Sequence, residues 1–269
     1  VPPSREKILN LPGSVFALVV ALVAIHALRE AISLQLNLWT LTEFSFVPGR
    51  FTLSFDPDRV SAVYNALAKT DDARSELARL FLGDGEPLWW TPLTYAFLHA
   101  NWLHVGLNCL WFVAFGAPVA RRFRALRFYL FCAVAAIAGA LAHYLTHSAD
   151  LAPVIGASAV VAAVMAAAVR FVFQPGAPLG QSLGFGHRED AYRQPALPLR
   201  GVFGDRRTVT FLLVWFGANF LFGAVVTPFG DEPVAWEAHV GGFVFGLLAF
   251  HWFDPPVPIE TPPELQPRT

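Results

Sequence analysis

Three stretches of 21, 22 and 23 residues carry no Asp, Glu, Lys or Arg: those between Lys7 and Arg29, Arg127 and Asp150, and Arg207 and Asp231. A helix rising about 1.5 Å per residue needs roughly 20 apolar residues to cross the hydrocarbon core of a bilayer. Each stretch meets that length. Two shorter uncharged runs, 153–169 and 238–253, would give recessed helices or helices in thinned bilayer. The run 87–120 holds 34 uncharged residues, too many for one straight span and too few for two with a turn. It reads as an apolar loop dipping into the membrane, Pro87 to about Ala100, followed by a helix from Asn101.

Composition agrees with a membrane chain. Of 269 residues 55% are hydrophobic and 14% charged, against roughly a quarter charged in soluble domains. A net charge of −1 supplies no field for nucleic acid, so no nucleic-acid partner is expected. Cys109 and Cys132 both sit in apolar runs, which argues against a disulfide scaffold. The predicted fold class is all-α: a polytopic bundle of six transmembrane helices with a long membrane-associated first outer loop. The expected spans are about 10–28, 101–120, 128–147, 153–169, 208–228 and 236–253. Residues 1–9 precede the membrane domain 10–253, and 254–269 form a proline-rich tail.

Arginine placement sets the orientation. Arg121, Arg122, Arg124 and Arg127 follow the second span, and Arg170, Arg188, Arg193, Arg200, Arg206 and Arg207 lie between the fourth and fifth. The connections His147–Pro153 and Pro228–Glu237 hold acids and no Lys or Arg. Both termini are therefore expected in the cytoplasm. Arginine outnumbers lysine 17 to 2, a bias of GC-rich bacterial chains, which suggests an inner (plasma) membrane. Of the two long loops, the outer one, about 30–100, contains Asp58–Leu82. Its apolar residues recur at helical spacing, as in a helix lying at the interface. The inner loop, about 171–207, is rich in Gly, Pro and Arg and reads as irregular.

Ionisable residues within spans are costly and single out functional positions. His26, His99, His104, His143, His147, His239 and His251 all fall in or beside spans. The second, fourth and sixth spans enter from the outer side. His104 and Asn108, at i and i+4, share a face of the second. Ser158 opens the fourth, and His239 stands at the start of the sixth. These four side chains reach a similar depth, about 5–10 Å below the outer surface. A serine hydroxyl needs a base, for which His239 is at the right depth. A helix N-terminus at Ser158 offers free N–H groups to an oxyanion, and His104 and Asn108 offer further donors. Gly156, Ala157, Ala159, Ala162, Ala163 and Ala166 face Ala238, Gly242 and Gly246, the small-residue spacing of close helix pairs. The alternative is that Ser158 merely caps its helix and the glycines merely pack. Likewise His143 and His147, at i and i+4 with Asp150 close by, read as wetted residues at an outer helix end rather than as a haem or metal site.

The stretch Trp90–Asn108, with Phe97-Leu98-His99 and His104-Val-Gly-Leu-Asn108, then Gly156-Ala-Ser158 and Ala238-His239-Val-Gly-Gly242, resembles the motif set of rhomboid intramembrane serine proteases. The likeness covers about residues 10–253. It implies Ser158 as nucleophile, His239 as general base, and His104, Asn108 and the Ser158 N–H as oxyanion hole, with Gly156 in the substrate-binding element. It also implies cleavage of single-span membrane proteins near the outer face, with no cofactor and no metal. Four positions depart from the pattern: Ala159 for a second glycine, Ala162 for a tyrosine, Thr91 for the arginine after Trp90, and Ala120 for a glutamate. Trp236, one turn before His239, is the ring available in place of the tyrosine. A catalytically silent, client-binding relative is the alternative function.

Overall fold

In a computed structural model, residues 11–174, 177, 192–193, 195–221 and 235–255 are described. The predicted N-terminal segment 1–9, nearly half of the inner loop, the last third of the span 208–228 and nearly all of the tail lie outside these residues.

The described residues are helical, with one isolated antiparallel bridge, Phe46 to Val154. Among the described residues three helices are long and apolar enough to cross a membrane: α1 (Gly13–Ala31), α7 (Trp102–Phe123) and α8 (Ala125–Thr146). Between α1 and α7 run α2 (Leu34–Phe44), α3 (Pro48–Leu53), α4 (Pro57–Ala68), α5 (Asp72–Leu82), the four-residue α6 (Thr91–Thr94) and a 3₁₀ turn, Tyr95–Phe97. Then follow α9 (Ser158–Ala168), α10 (Leu199–Gly204), α11 (Arg206–Phe220) and α12 (Trp236–Phe253). Of the other predicted spans, 153–169 corresponds to the short α9 and 236–253 to the more polar α12, and α11 covers the described part of 208–228. At 18 residues α12 is long enough, but Glu237, His239 and His251 dilute its apolar character.

The shortness of α9 has a structural cause. Every residue from Ala159 to Ala168 is buried, packed among α7, α8 and α12. A helix enclosed by protein has no lipid thickness to match, so 11 residues suffice. Its start also differs from the expected Pro153. Residues 151–157 form a loop in which the Val154 backbone exchanges hydrogen bonds with Phe46 (2.8 and 3.1 Å), and Gly156 takes φ +124°. Helical geometry resumes only at Ser158.

The bundle wears its apolar residues outside. Phe16, Leu110, Leu130, Leu141, Leu248 and Trp252 are all exposed, as expected of surfaces solvated by lipid tails. The first long loop differs from the single interfacial helix expected over Asp58–Leu82. It is two helices, because Asp71 caps a new one by accepting from the Arg74 N–H (2.9 Å). Val60, Ala78 and Leu151 form a small core with Leu67 packed on it, whereas Val63, Leu77 and Leu80 are exposed. Part of the helical periodicity therefore serves packing within the protein. In the predicted irregular inner loop, α10 is ordered, and the Leu197 N–H returns to the Arg170 carbonyl at 2.7 Å.

Two of the arginines from which the orientation was expected are buried. Arg170 donates to the carbonyls of Leu197 (2.7 Å) and Leu247 (2.9 Å), tying α9 to α12. Arg122 forms a two-pronged pair with Asp254 (2.6 and 2.8 Å) and lies over the Phe171 ring. This pair locks the end of α7 to the end of α12, so the anion comes from α12 rather than from position 120, where Ala120 is part of the core. Removing one partner of a buried pair strands the other. Asp254→Ala is expected to cost about 3–5 kcal/mol, read as a lowered unfolding midpoint in detergent. An unchanged midpoint would contradict the lock.

Candidate active site

The first two turns of α7 hold two of the four singled-out side chains. Asn101 caps the helix by accepting from the His104 N–H at 2.9 Å. One turn on, buried Asn108 donates to the His104 carbonyl at 3.0 Å. The His104 Nδ1 accepts from the Ala100 N–H at 3.4 Å, so in the neutral ring the proton resides on Nε2. That nitrogen points at Gly156: a β-carbon there would stand 2.8 Å from it and 3.8 Å from the Ser158 Oγ. The second and fourth predicted spans therefore do bring His104 and Ser158 to a common point, and Gly156 leaves the room between them.

Ser158 is the first residue of α9 and not its cap. The capping position is Ala157, which has no side-chain bond to offer, so the reading of Ser158 as a mere helix cap has no support. The approach to it is held from two sides. The Gly156 N–H donates to the Tyr95 carbonyl at 3.0 Å, and the Ala157 N–H donates to His99 Nε2 at 3.4 Å. Gly156 combines a left-handed φ of +124° with a site where any side chain meets His104. Gly156→Ala is therefore expected to displace the His104 ring and lower turnover much more than it lowers stability. Parallel rate and unfolding measurements check this; equal losses in both would indicate a purely structural role.

His239 reaches the same region through glycine contacts. A β-carbon on Gly242 would collide with the Ala159 backbone carbonyl, and one on Gly246 with that of Ala163. Helices α9 and α12 thus touch backbone to backbone. On α8, Gly139 faces both the Ala159 methyl group and the Ala238 carbonyl. The neighbours of Ser158 and His239 in sequence therefore meet at one glycine. The Ala159 departure is accommodated here, since its methyl group enters the space that Gly139 leaves empty. Ala162 is buried in a cluster with Val202, Leu212 and Phe243. Thr91 donates to the Leu88 carbonyl at 2.7 Å.

Sequence reasoning gave no role to several supporting residues. His99 is fully buried, with its ring 4.9 Å from that of His104. Its carbonyl accepts from Arg29, whose other end donates to Asn37. Arg29 marks the end of a span in the sequence, yet it is buried and ties α1 to the loop before α7. Tyr95 is buried and donates to the Ala136 carbonyl on α8 at 2.9 Å. Only His99 carried a signal, as a histidine in an apolar run. His143 is buried, which corrects its reading as a wetted residue; His147 alone is exposed. His26 packs edge-on against Trp102, and His251 lies exposed at the far end of α12.

A family model described as "Rhomboid domain" matches residues 86–253. The rhomboid protease GlpG of Serratia proteamaculans (strain 568) is 28% identical over 163 residues, 61% of this chain and 48% of that protein. The chain thus spans about half the length of this curated relative. With the family match covering most of the chain and the apolar helices that accompany it, this is a helical membrane protein belonging to the rhomboid family.

Proposed function

We propose that the chain is an intramembrane serine endopeptidase that cuts transmembrane segments of single-span proteins, with Ser158 as nucleophile and His239 as general base. Six spans, both termini in the cytoplasm and a site opening toward the outer face of the plasma membrane belong to the same reading. The observation that carries it is the convergence of His104 Nε2 and Ser158 Oγ on Gly156, with the start of α12 held against the start of α9 by the Gly242–Ala159 contact. The relative GlpG is named as a rhomboid protease, which supports the reaction class.

A substrate segment unwinds and presents a peptide carbonyl to Ser158. His239 takes the hydroxyl proton as Oγ bonds to the carbonyl carbon, and returns it to the departing amine. The His104 Nε2–H and the first N–H groups of α9 receive the oxyanion. Asn108 joins them with the N–H that its bond to the His104 carbonyl leaves over. Water then attacks the acyl-enzyme with His239 again as base. Loss of His104 or Asn108 is expected to cost about 10²–10³-fold in turnover.

The client-binding alternative is separated by one experiment. A fluorophosphonate should label purified wild-type protein and fail to label Ser158→Ala. No labelling of folded wild type would favour the silent reading.

A further inference from the structure

The C-terminal turn of α8 and the first turn of α12 share a second polar cluster, outside the machinery proposed above. His143 and His147, one helical turn apart, stack with centroids 5.1 Å apart and planes within 11°. Glu237 reaches across from α12, with Oε2 3.4 Å from His143 Nδ1 and Oε1 3.6 Å from His147 Nδ1. One ligand atom from each of the three lies within 4.8 Å of the others. A tetrahedral ion with bonds of about 2.0–2.1 Å places its ligands roughly 3.3 Å apart. The spacings to Glu237 are already near that value.

The second observation is independent of the spacing. His143 is only 4% exposed, and neither ring nitrogen has a hydrogen-bond partner. Burying an imidazole in this way is unfavourable unless something else satisfies it. Its other nitrogen, Nε2, lies 3.7 Å from Asp150 Oδ2. A proton held on Nε2 and directed at Asp150 would leave the Nδ1 lone pair for a cation, the carboxylate–histidine–metal relation of many sites. His147 and Asp150 line an open cleft with Arg59 and Val63, which supplies an entry path. The Thr146 hydroxyl, 2.9 Å from His147 Nδ1, is exposed and already served by the His143 carbonyl at 3.0 Å, so it can release that nitrogen to an ion.

We propose that His143, His147 and Glu237 bind a divalent transition-metal ion of the zinc class, with Asp150 orienting His143. Imidazole with a single carboxylate favours zinc-like ions over calcium or magnesium, which take oxygen ligands. Three protein ligands leave a fourth position for water. The ion clamps the end of α8 to the first turn of α12, two residues before His239. The site itself does not depend on Ser158 or His239 acting in catalysis.

Cobalt(II) is the probe, because its visible bands report tetrahedral nitrogen–oxygen coordination. Full-length protein without a histidine tag, titrated in detergent, should bind one Co²⁺ per chain, displaceable by Zn²⁺, with a raised unfolding midpoint. His147→Ala and Glu237→Gln should abolish the bands. Asp150→Asn should weaken binding by about 10–100-fold, and His251→Ala should leave it unchanged. His147 is exposed, so its variant folds even where a His143 variant does not. Absence of Co²⁺ uptake by the wild type, or uptake equal in His147→Ala and Glu237→Gln, overturns the proposal.

Discussion

Ser158→Ala and His239→Ala are each expected to abolish cleavage of a reporter carrying a transmembrane segment, in detergent or liposomes. A nucleophile and its base act as one unit, so removing either costs nearly as much as removing both, on the order of 10⁶-fold in turnover. The Ser158→Ala, His239→Ala double variant should therefore be no worse than either single one. Both side chains are partly exposed, so neither substitution empties a packed core, and unfolding midpoints should stay near wild type. Cleavage that survives in Ser158→Ala would sink the proposed mechanism. A double variant far slower than the singles would show that the two residues act separately.

Gly242→Val should separate α9 from α12. A β-carbon at this position meets the Ala159 carbonyl oxygen, carbonyl carbon and Cα, all of them backbone. Nothing there can rotate away, so one helix must move. Overpacking of ordinary cores costs about 1–3 kcal/mol, and a clash with backbone belongs at or above the upper end. Because Ala159 adjoins Ser158 and Gly242 lies one turn from His239, the displacement also parts the two groups. The expected result is a lower unfolding midpoint with loss of cleavage. Gly106→Ala is the stability control: nothing lies within 4 Å of a β-carbon there, and alanine favours a helix interior by about 1 kcal/mol. Equal midpoints for Gly242→Val and Gly106→Ala would rule out the tight helix contact.

Much of this was legible in the primary structure because the bilayer simplifies the reading. Uncharged runs locate the long helices α1, α7 and α8 to within a few residues, since a lipid-facing helix must be apolar along most of its length. Where a segment faces protein, that rule weakens. Helix α9 began five residues later than the uncharged run at Pro153, because the Phe46–Val154 bridge and Gly156 keep the chain extended. Arg122 and Arg170 count only as inner-side charges in the sequence, which gives no sign that both also make buried contacts between helices. The break between α4 and α5 was written in Asp71, a capping residue that helical periodicity alone overlooks.

Residue types, order and spacing by themselves determined that this chain is helical and membrane-bound. They also singled out Ser158, His239, His104 and Asn108 as the polar residues to explain. Ionisable groups in apolar runs are conspicuous there because each one is costly. Only the tertiary structure decided what stands next to what. His104 Nε2 turns toward Gly156 because Ala100 engages the opposite nitrogen, and Ala159 fits because Gly139 on another helix leaves it space. Glu237 stands against two histidines about 90 residues earlier in the chain. These relations depend on contacts between helices, and a one-dimensional pattern of apolar and charged residues records the faces of helices but not their partners.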